Sequence, residues 1–434
     1  MNNADWLDRT RAALWHPCTQ MKQLEQAPPL PIARGEGPWL IDHDGNRYLD
    51  AISSWWVNLF GHANPRINAA ITDQLGRIEH VILASCTHAP VVELSERLAK
   101  LTGLSHAFYG SDGASATEIA LKMSFHYWRN VGQPAKTGFV SLQDGYHGET
   151  LGALSVTDVA LFKNTYAPLL RPSHQVMSPD WRRAEEGESA EAYALRAAAN
   201  LEDFLAECAE TTAAVILEPL VQGAAGMAMY HPIYLSCVRE MCNRHRVHLI
   251  ADEIAVGFGR TGTMFACEQA GIRPDFLCLS KGITGGYLPL SCVLTTDRVY
   301  DAFYDDATAR GFLHSHSYTG NPLACRAALA VLDIFEQDDV IAVNRSRAAR
   351  FTELLAPVAA HPRVEHLRHL GMIWSFDVKD AAPGFGLDFH RRALEKGLLL
   401  RPIGNTVYFM PPYIIEEEDM QLMARVVHDL IAAP

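Results

Sequence analysis

The sequence has no CxxC pair, no long run of one charge and no long apolar run. Each absence excludes a class of protein. Nine cysteines, Cys18, Cys86, Cys208, Cys237, Cys242, Cys267, Cys278, Cys292 and Cys325, are scattered and odd in number, and several stand in apolar runs. Thiols in that pattern act as small hydrophobes in a reducing compartment, so a cytoplasmic protein without a disulfide framework is expected. No apolar stretch approaches the roughly 20 residues that a membrane span needs. The opening residues, "MNNADWLDRTRAALWHPCTQ", lack the basic and apolar regions of a secretory signal. The net charge of −13 comes without a basic run, which argues against nucleic acid as a partner. His314 and His316 stand two apart with no acidic or cysteine neighbour, too little for a metal site, and no metal is expected.

What is present is an ordinary globular composition, 434 residues with 48% hydrophobic and 20% charged, enough for two or three domains. Residues 36–60 alternate apolar and polar positions about Asp44-Gly45, which predicts a hairpin. From about 65 to 330, short apolar runs (138–142, 213–220, 247–254, 276–279, 291–295) alternate with amphipathic stretches (115–129, 191–208, 232–246). Several runs are continuous rather than alternating, as in parallel strands covered on both faces. The expected fold class is α/β, a mostly parallel sheet wrapped by helices. After Asn321-Pro322 comes a helix, then helix, strand (372–378), helix (389–396), two strands (398–401 and 406–410) and a last helix (419–432). That pattern reads as a smaller α+β domain completed by the N-terminal segment. The expected layout is 1–62 and 331–434 in the small domain and 63–330 in the large one.

Ligands of open α/β sheets bind at the carboxyl ends of the strands, and four features fall there. In "YGSDGASATEIALKM" (109–123), small residues open a helix whose free N–H groups suit a phosphate, although the same residues make a good helix cap. In "DGYHGET" (144–150), Tyr146 and His147 stand at a glycine-bracketed turn where an aromatic ring could stack on a flat ligand or simply pack. In "VHLIADEIAVGFGRTG" (247–262), Asp252-Glu253 ends an apolar strand. A buried carboxylate there needs a cationic partner, either an arginine such as Arg260 or a protonated ring nitrogen. In "LCLSKGITGG" (277–286), Lys281 ends another apolar run. It either snorkels to water or is kept neutral for imine chemistry, because desolvation lowers an amine's pKa and frees its lone pair. A phosphate cradle, a stacking ring, a carboxylate for a ring nitrogen and an imine-forming lysine are together what pyridoxal phosphate requires.

These stretches, with "LEPLVQGAAGM" (217–227) and "YTGNPLACRAAL" (318–329), resemble the class III aminotransferases of fold type I across essentially the whole chain. The resemblance implies a pyridoxal 5'-phosphate enzyme, a homodimer with shared active sites. By similarity, Lys281 holds the cofactor and later shuttles protons. Asp252 pairs with the ring nitrogen, Tyr146 stacks on the ring, and Gly113 and Ala114 give backbone N–H groups to the phosphate. Ser317, with His316 beside it, reaches the phosphate of the partner subunit. Further motifs, "WHPCTQM" (15–21), "SSWW" (53–56), "THAP" (87–90), "ACEQAGIRPDFLCLSKGITGG" (266–286) and "RPIGNTVYFMPPYII" (401–415), are similar to the biotin-synthesis branch of the family. That branch aminates 8-amino-7-oxononanoate to 7,8-diaminononanoate, usually with S-adenosylmethionine as donor. The resemblance then assigns Arg401 to the substrate carboxylate and sets Trp55, Tyr408, Cys18 and Ser315 along the substrate pocket. Cys18 stands where the better-known pattern has tyrosine, Ser315-His316 where it has Gly-Pro, and Glu149 where it has aspartate; Ala84-Ser85-Cys86 replaces a glycine-rich turn. These departures leave two alternatives open: lysine as donor, or another ω-amine transaminase.

Overall fold

The computed structural model describes residues 1–432, and its contacts divide the chain into two compact units, residues 69–342 and residues 1–68 with 343–434. The larger unit is built on seven strands. In chain order these are β1 (His106–Gly110), β2 (Gly138–Leu142), β3 (His174–Val176), β4 (Thr212–Leu217), β5 (His248–Asp252), β6 (Phe276–Leu279) and β7 (Ser291–Thr295). Their order across the sheet is β1-β7-β6-β5-β4-β2-β3. Only β7 runs against the rest, pairing antiparallel with both β6 and β1. Every residue of β4, β5, β6 and β7 is buried, which is why apolar residues run without a break between their ends. Helices Gly113–Asn130, Ala190–Cys208 and Ile233–Arg244 wrap the sheet. Gly113–Asn130 buries Ala116, Ile119, Ala120 and Met123 in a core shared with Ile216, Ile250, Phe276 and Val293.

The expected strand 213–220 ends sooner, because Glu218-Pro219 and Leu220, with φ of 66°, turn the chain out of the sheet. That early exit places Glu218 at the carboxyl end of β4, beside the end of β5 where Asp252 stands.

The smaller unit holds the hairpin Trp39–Asp42 and Arg47–Asp50, with Ile32–Glu36 on one edge and Leu398–Leu399 pairing parallel on the other. A three-stranded antiparallel sheet joins Val364–Leu370, Ile373–Val378 and Thr406–Phe409. Phe351 packs edge-on against Trp374 and Phe409, at 4.8 and 5.2 Å between ring centres. Among the described residues no helix is long and apolar enough to cross a membrane, and all nine cysteines are free thiols.

Candidate active site

Four chain segments leave the carboxyl ends of β2, β4, β5 and β6 and meet in one crevice of the larger unit. Lys281 follows β6 with φ of 44°, a left-handed backbone rare for a residue with a side chain. The residue is half-buried, but protein crowds its ammonium. Burial pushes the pKa down to about 8, against the opposing pull of Asp252 and Glu218; Arg260 adds to the lowering. Such an amine is substantially neutral near pH 8 and therefore nucleophilic.

Asp252, at the end of β5, is 4% exposed. Its Oδ2 accepts from His147 Nδ1 at 2.7 Å and its Oδ1 from the Ile254 N–H at 3.1 Å. The ring of His147 is fully buried, and its Nε2 has no hydrogen-bond partner among the described residues. Glu218, buried at the exit of β4, accepts the N–H groups of Tyr146 at 3.0 Å and Gly223 at 2.9 Å. Burial is the largest cause that raises its pKa to about 7, and the negative Asp252 adds to it. Lysine, histidine and two carboxylates thus share one low-dielectric pocket, where small changes of charge move every neighbour.

The helix Gly113–Asn130 starts at the same crevice. Asp112 caps it by taking the Ser115 N–H at 2.8 Å. The N–H groups of Gly113 and Ala114 then have no acceptor among the described residues and stand at the positive end of the helix. Gly148, with φ of 122°, lets the loop after β2 run against this start. A methyl group there would lie 2.7 Å from the Cβ of Ala114. Thr117 fixes the same loop by donating to the His147 carbonyl at 2.8 Å. The donor set fits pyridoxal phosphate: an amine of lowered pKa, a carboxylate locked by an imidazole, and two unused amide donors for a phosphate.

In the smaller unit, residues Ser53, Ser54, Trp55 and Trp56 have φ of 51°, 46°, 71° and 74°. They form a left-handed turn, closed by Trp56 N–H to Ile52 carbonyl at 2.8 Å and Val57 N–H to Ser53 carbonyl at 3.0 Å. Each such non-glycine residue costs roughly 1–2 kcal/mol, so specific contacts must hold the turn. It presents Trp55, 44% exposed, and the Arg401 guanidinium lies 4.6 Å from its ring centre. Arg401 Nη2 also donates to the Cys18 carbonyl at 3.3 Å. Tyr408 is buried, and its hydroxyl accepts from Trp56 Nε1 at 3.1 Å, which leaves its own proton to donate.

A family model for class-III aminotransferases matches residues 20–431. The chain belongs to the class-III aminotransferases. It is 47% identical to the adenosylmethionine-8-amino-7-oxononanoate aminotransferase of Helicobacter pylori, over 94% of this chain and 93% of that protein. It is 41% identical to the enzyme of that name from Geobacter sulfurreducens, over 96% and 95% of the two chains. The crystal structure of the Methanocaldococcus jannaschii enzyme of that name superposes with a TM-score of 0.93 at 36% identity, over 99% of each chain. An amine transaminase from an uncultivated Pseudomonas species, in its PLP-bound form, superposes with 0.92 at 34% identity, over 97% and 98%.

Within this class-III aminotransferase, Lys281, Asp252, Tyr146, Gly113 and Ala114 all gather on the crevice of the larger unit. His316 comes to the helix start, its Nδ1 lying 3.3 Å from Ser111 Oγ. Ser315 and Ser317 are exposed on the same loop. Trp55, Arg401, Tyr408 and Cys18 gather in the smaller unit. Two crevice roles were not read from the sequence. His147, named there only for stacking, is the partner of Asp252, and Glu218, not singled out there, closes the turn under Tyr146. For Glu218 a signal existed, a carboxylate at the end of an apolar run in "VILEPL". Glu253, next to Asp252, turns away and accepts the N–H groups of Ala266 at 2.7 Å and Cys267 at 2.8 Å.

Proposed function

We propose that this class-III aminotransferase uses pyridoxal 5'-phosphate to convert 8-amino-7-oxononanoate to 7,8-diaminononanoate, a step of biotin synthesis, with S-adenosylmethionine as amino donor. The observation that carries this reading is the Arg401–Trp55 stack, a guanidinium seated on an indole at 4.6 Å in a chain that also holds the Lys281 crevice. It suits a long aliphatic acceptor ending in a carboxylate, since a planar guanidinium receives that group through two parallel hydrogen bonds. When bound, the cofactor supplies an aldehyde for amines and a ring that withdraws electrons from a breaking C–H bond.

The chain's own residues do the rest. Lys281 offers a neutral amine and carries a proton to and from the substrate carbon. Asp252, held by His147, keeps a proton on the ring nitrogen by accepting it in a hydrogen bond. Gly113 and Ala114 bind the phosphate with backbone N–H groups, and Tyr146 lays a flat face on the ring. In a homodimer, His316 and Ser317 extend the phosphate cradle and Ser315 the substrate wall. Trp55, Tyr408 and Cys18 line the path of the acceptor chain, with the Tyr408 hydroxyl as a hydrogen-bond donor.

The test is a half-reaction followed in the visible spectrum without any acceptor. S-adenosylmethionine is expected to convert the lysine-bound form of the cofactor to its amine form. Conversion by lysine alone keeps the acceptor and changes the donor. Conversion by neither, with turnover of simple amines, moves the reading to an ω-amine transaminase.

A further inference from the structure

The left-handed turn Ser53–Trp56 contains no glycine, so its shape is imposed by its surroundings. The side chain of Asp50 is buried and directed at it. Asp50 Oδ1 accepts the Ser54 N–H at 2.9 Å, and Oδ2 accepts the Ser54 hydroxyl at 2.7 Å. The same Oδ2 lies 3.0 Å from His62 Nε2, while His62 Nδ1 lies 3.2 Å from Asn58 Nδ2. An amide nitrogen only donates, so His62 Nδ1 accepts and Nε2–H donates to Asp50. The carboxylate therefore receives three donors, two of them from one residue of the turn. On the other flank, Ser53 Oγ donates to the Met410 carbonyl at 2.7 Å.

The output of this clamp is exposed. Ser54 and Trp55 face solvent, and the core beneath them is filled by Trp56 and Ile52. Relaxing Ser54 and Trp55 to right-handed backbone would break the bonds from the Trp56 and Val57 N–H groups that close the turn, and it would move the indole from beneath Arg401. A guanidinium resting on a ring face is held flat with its edge donors turned outward.

We propose that Asp50, backed by His62 and acting through Ser54, is a positioning residue for the acceptor carboxylate. It fixes the left-handed turn that holds Trp55 under Arg401. The inference deepens, and rests on, the reading that Arg401 receives that carboxylate.

The test compares holoenzyme variants by steady-state kinetics and by the donor half-reaction. Ser54→Ala keeps a Cβ in the left-handed region and removes one charged hydrogen bond. It should raise KM for 8-amino-7-oxononanoate about tenfold, with kcat within about twofold and the donor half-reaction unchanged. Ser54→Gly loses the same bond but adopts positive φ freely, so KM should rise clearly less than in Ser54→Ala. Asp50→Asn should act in the same direction as Ser54→Ala. In an Arg401→Ala background, Ser54→Ala should add no further rise, because the two act as one unit. Unchanged KM in both Ser54→Ala and Asp50→Asn would overturn the proposal. So would equal effects of Ser54→Ala with and without Arg401, which mark a merely structural role. If Arg401→Ala alone leaves KM unchanged, the carboxylate reading itself fails, and the two failures are told apart.

Discussion

His147 Nδ1 and Asp252 Oδ2 lie 2.7 Å apart, with both side chains withdrawn from solvent. An ionised carboxylate only accepts, so the imidazole proton sits on Nδ1 and points at Asp252. The bond fixes the direction of the carboxylate and supplies part of the compensation a buried charge requires. Replacing His147 by Phe leaves Asp252 without that donor, and breaking a buried pair in this way costs about 3–5 kcal/mol. The expected outcome is a lower melting temperature and weaker retention of pyridoxal phosphate, measured by dialysis and absorbance. His147→Asn can still donate to Asp252 and should recover part of both. Equal retention in His147→Phe and the parent would remove His147 from this role.

Lys281→Ala removes the only amine assigned to hold the cofactor. Visible absorbance of the lysine-bound cofactor should vanish and turnover should fall by several orders of magnitude, since covalent capture and proton transfer are lost together. A variant that turns over at the parent rate would sink the assignment.

The pH dependence follows from the direction of the Lys281 shift. Its pKa is pushed down to about 8 from an ordinary value of 10.5, chiefly by burial, so the reactive neutral form grows as pH rises through about 8. Recapture of pyridoxal phosphate by the apoenzyme should therefore accelerate between pH 7 and 9 and level off above, well below the pH at which a free lysine becomes neutral. Glu218 opposes that lowering. Glu218→Gln should move the midpoint to lower pH, although one of the N–H groups of Tyr146 and Gly223 then loses its acceptor. A midpoint near 10 in the parent would show an amine open to water.

The strands were readable wherever burial on both faces made their sequence continuous, as in Phe276–Leu279 and Ser291–Thr295. His106–Gly110 and His174–Val176 escaped because partial exposure leaves them mixed in polarity, and the second is only three residues long. Val364–Leu370 escaped because its pairing slips between Glu365 and Arg368, where His366 takes φ of 50°, and the two-residue period is lost. At the site, Lys281, Asp252 and the helix start at Gly113 were legible because each is a polar or glycine interruption next to an apolar run. The partner of Asp252 was not legible. Arg260, eight residues away, was the candidate within the chain beside a ligand's ring nitrogen, and the side chain that bonds to Asp252 lies 105 positions distant. Backbone strain was equally hidden. Nothing in "SSWW" announces four left-handed residues, because the cause is Asp50 and the carbonyl of Met410, 357 positions from Ser53.

Arg401→Lys separates charge from shape. Lysine keeps the positive charge but loses the planar fork, whose central carbon stands 4.6 Å over the Trp55 ring and whose shape suits a carboxylate. KM for 8-amino-7-oxononanoate should rise about tenfold or more in both Arg401→Lys and Arg401→Ala, with Arg401→Ala the larger. The cofactor's bound spectrum should stay unchanged. Loss of cofactor in step with KM would mean that Arg401 serves the cofactor instead.

Two glycines with positive φ give the last prediction, because they share a backbone need but differ in their surroundings. Gly132 has φ of 78° and open space around it, so Gly132→Ala meets only the conformational cost, about 1–2 kcal/mol. Gly148 has φ of 122°, and an added Cβ would lie 2.7 Å from Ala114 Cβ and 2.9 Å from its Cα. Those are backbone-bound atoms at the start of the helix, not the end of a flexible side chain, so Gly148→Ala can fit only by moving the Gly113-Ala114 turn. Both variants should lose some thermal stability. Only Gly148→Ala should also lose affinity for pyridoxal phosphate, by tenfold or more, if the N–H groups of Gly113 and Ala114 hold the phosphate as a charged hydrogen-bond pair. Titrating the two apoenzymes with pyridoxal phosphate, and with inorganic phosphate as competitor, decides it. Equal affinity in both variants would place the phosphate away from this helix.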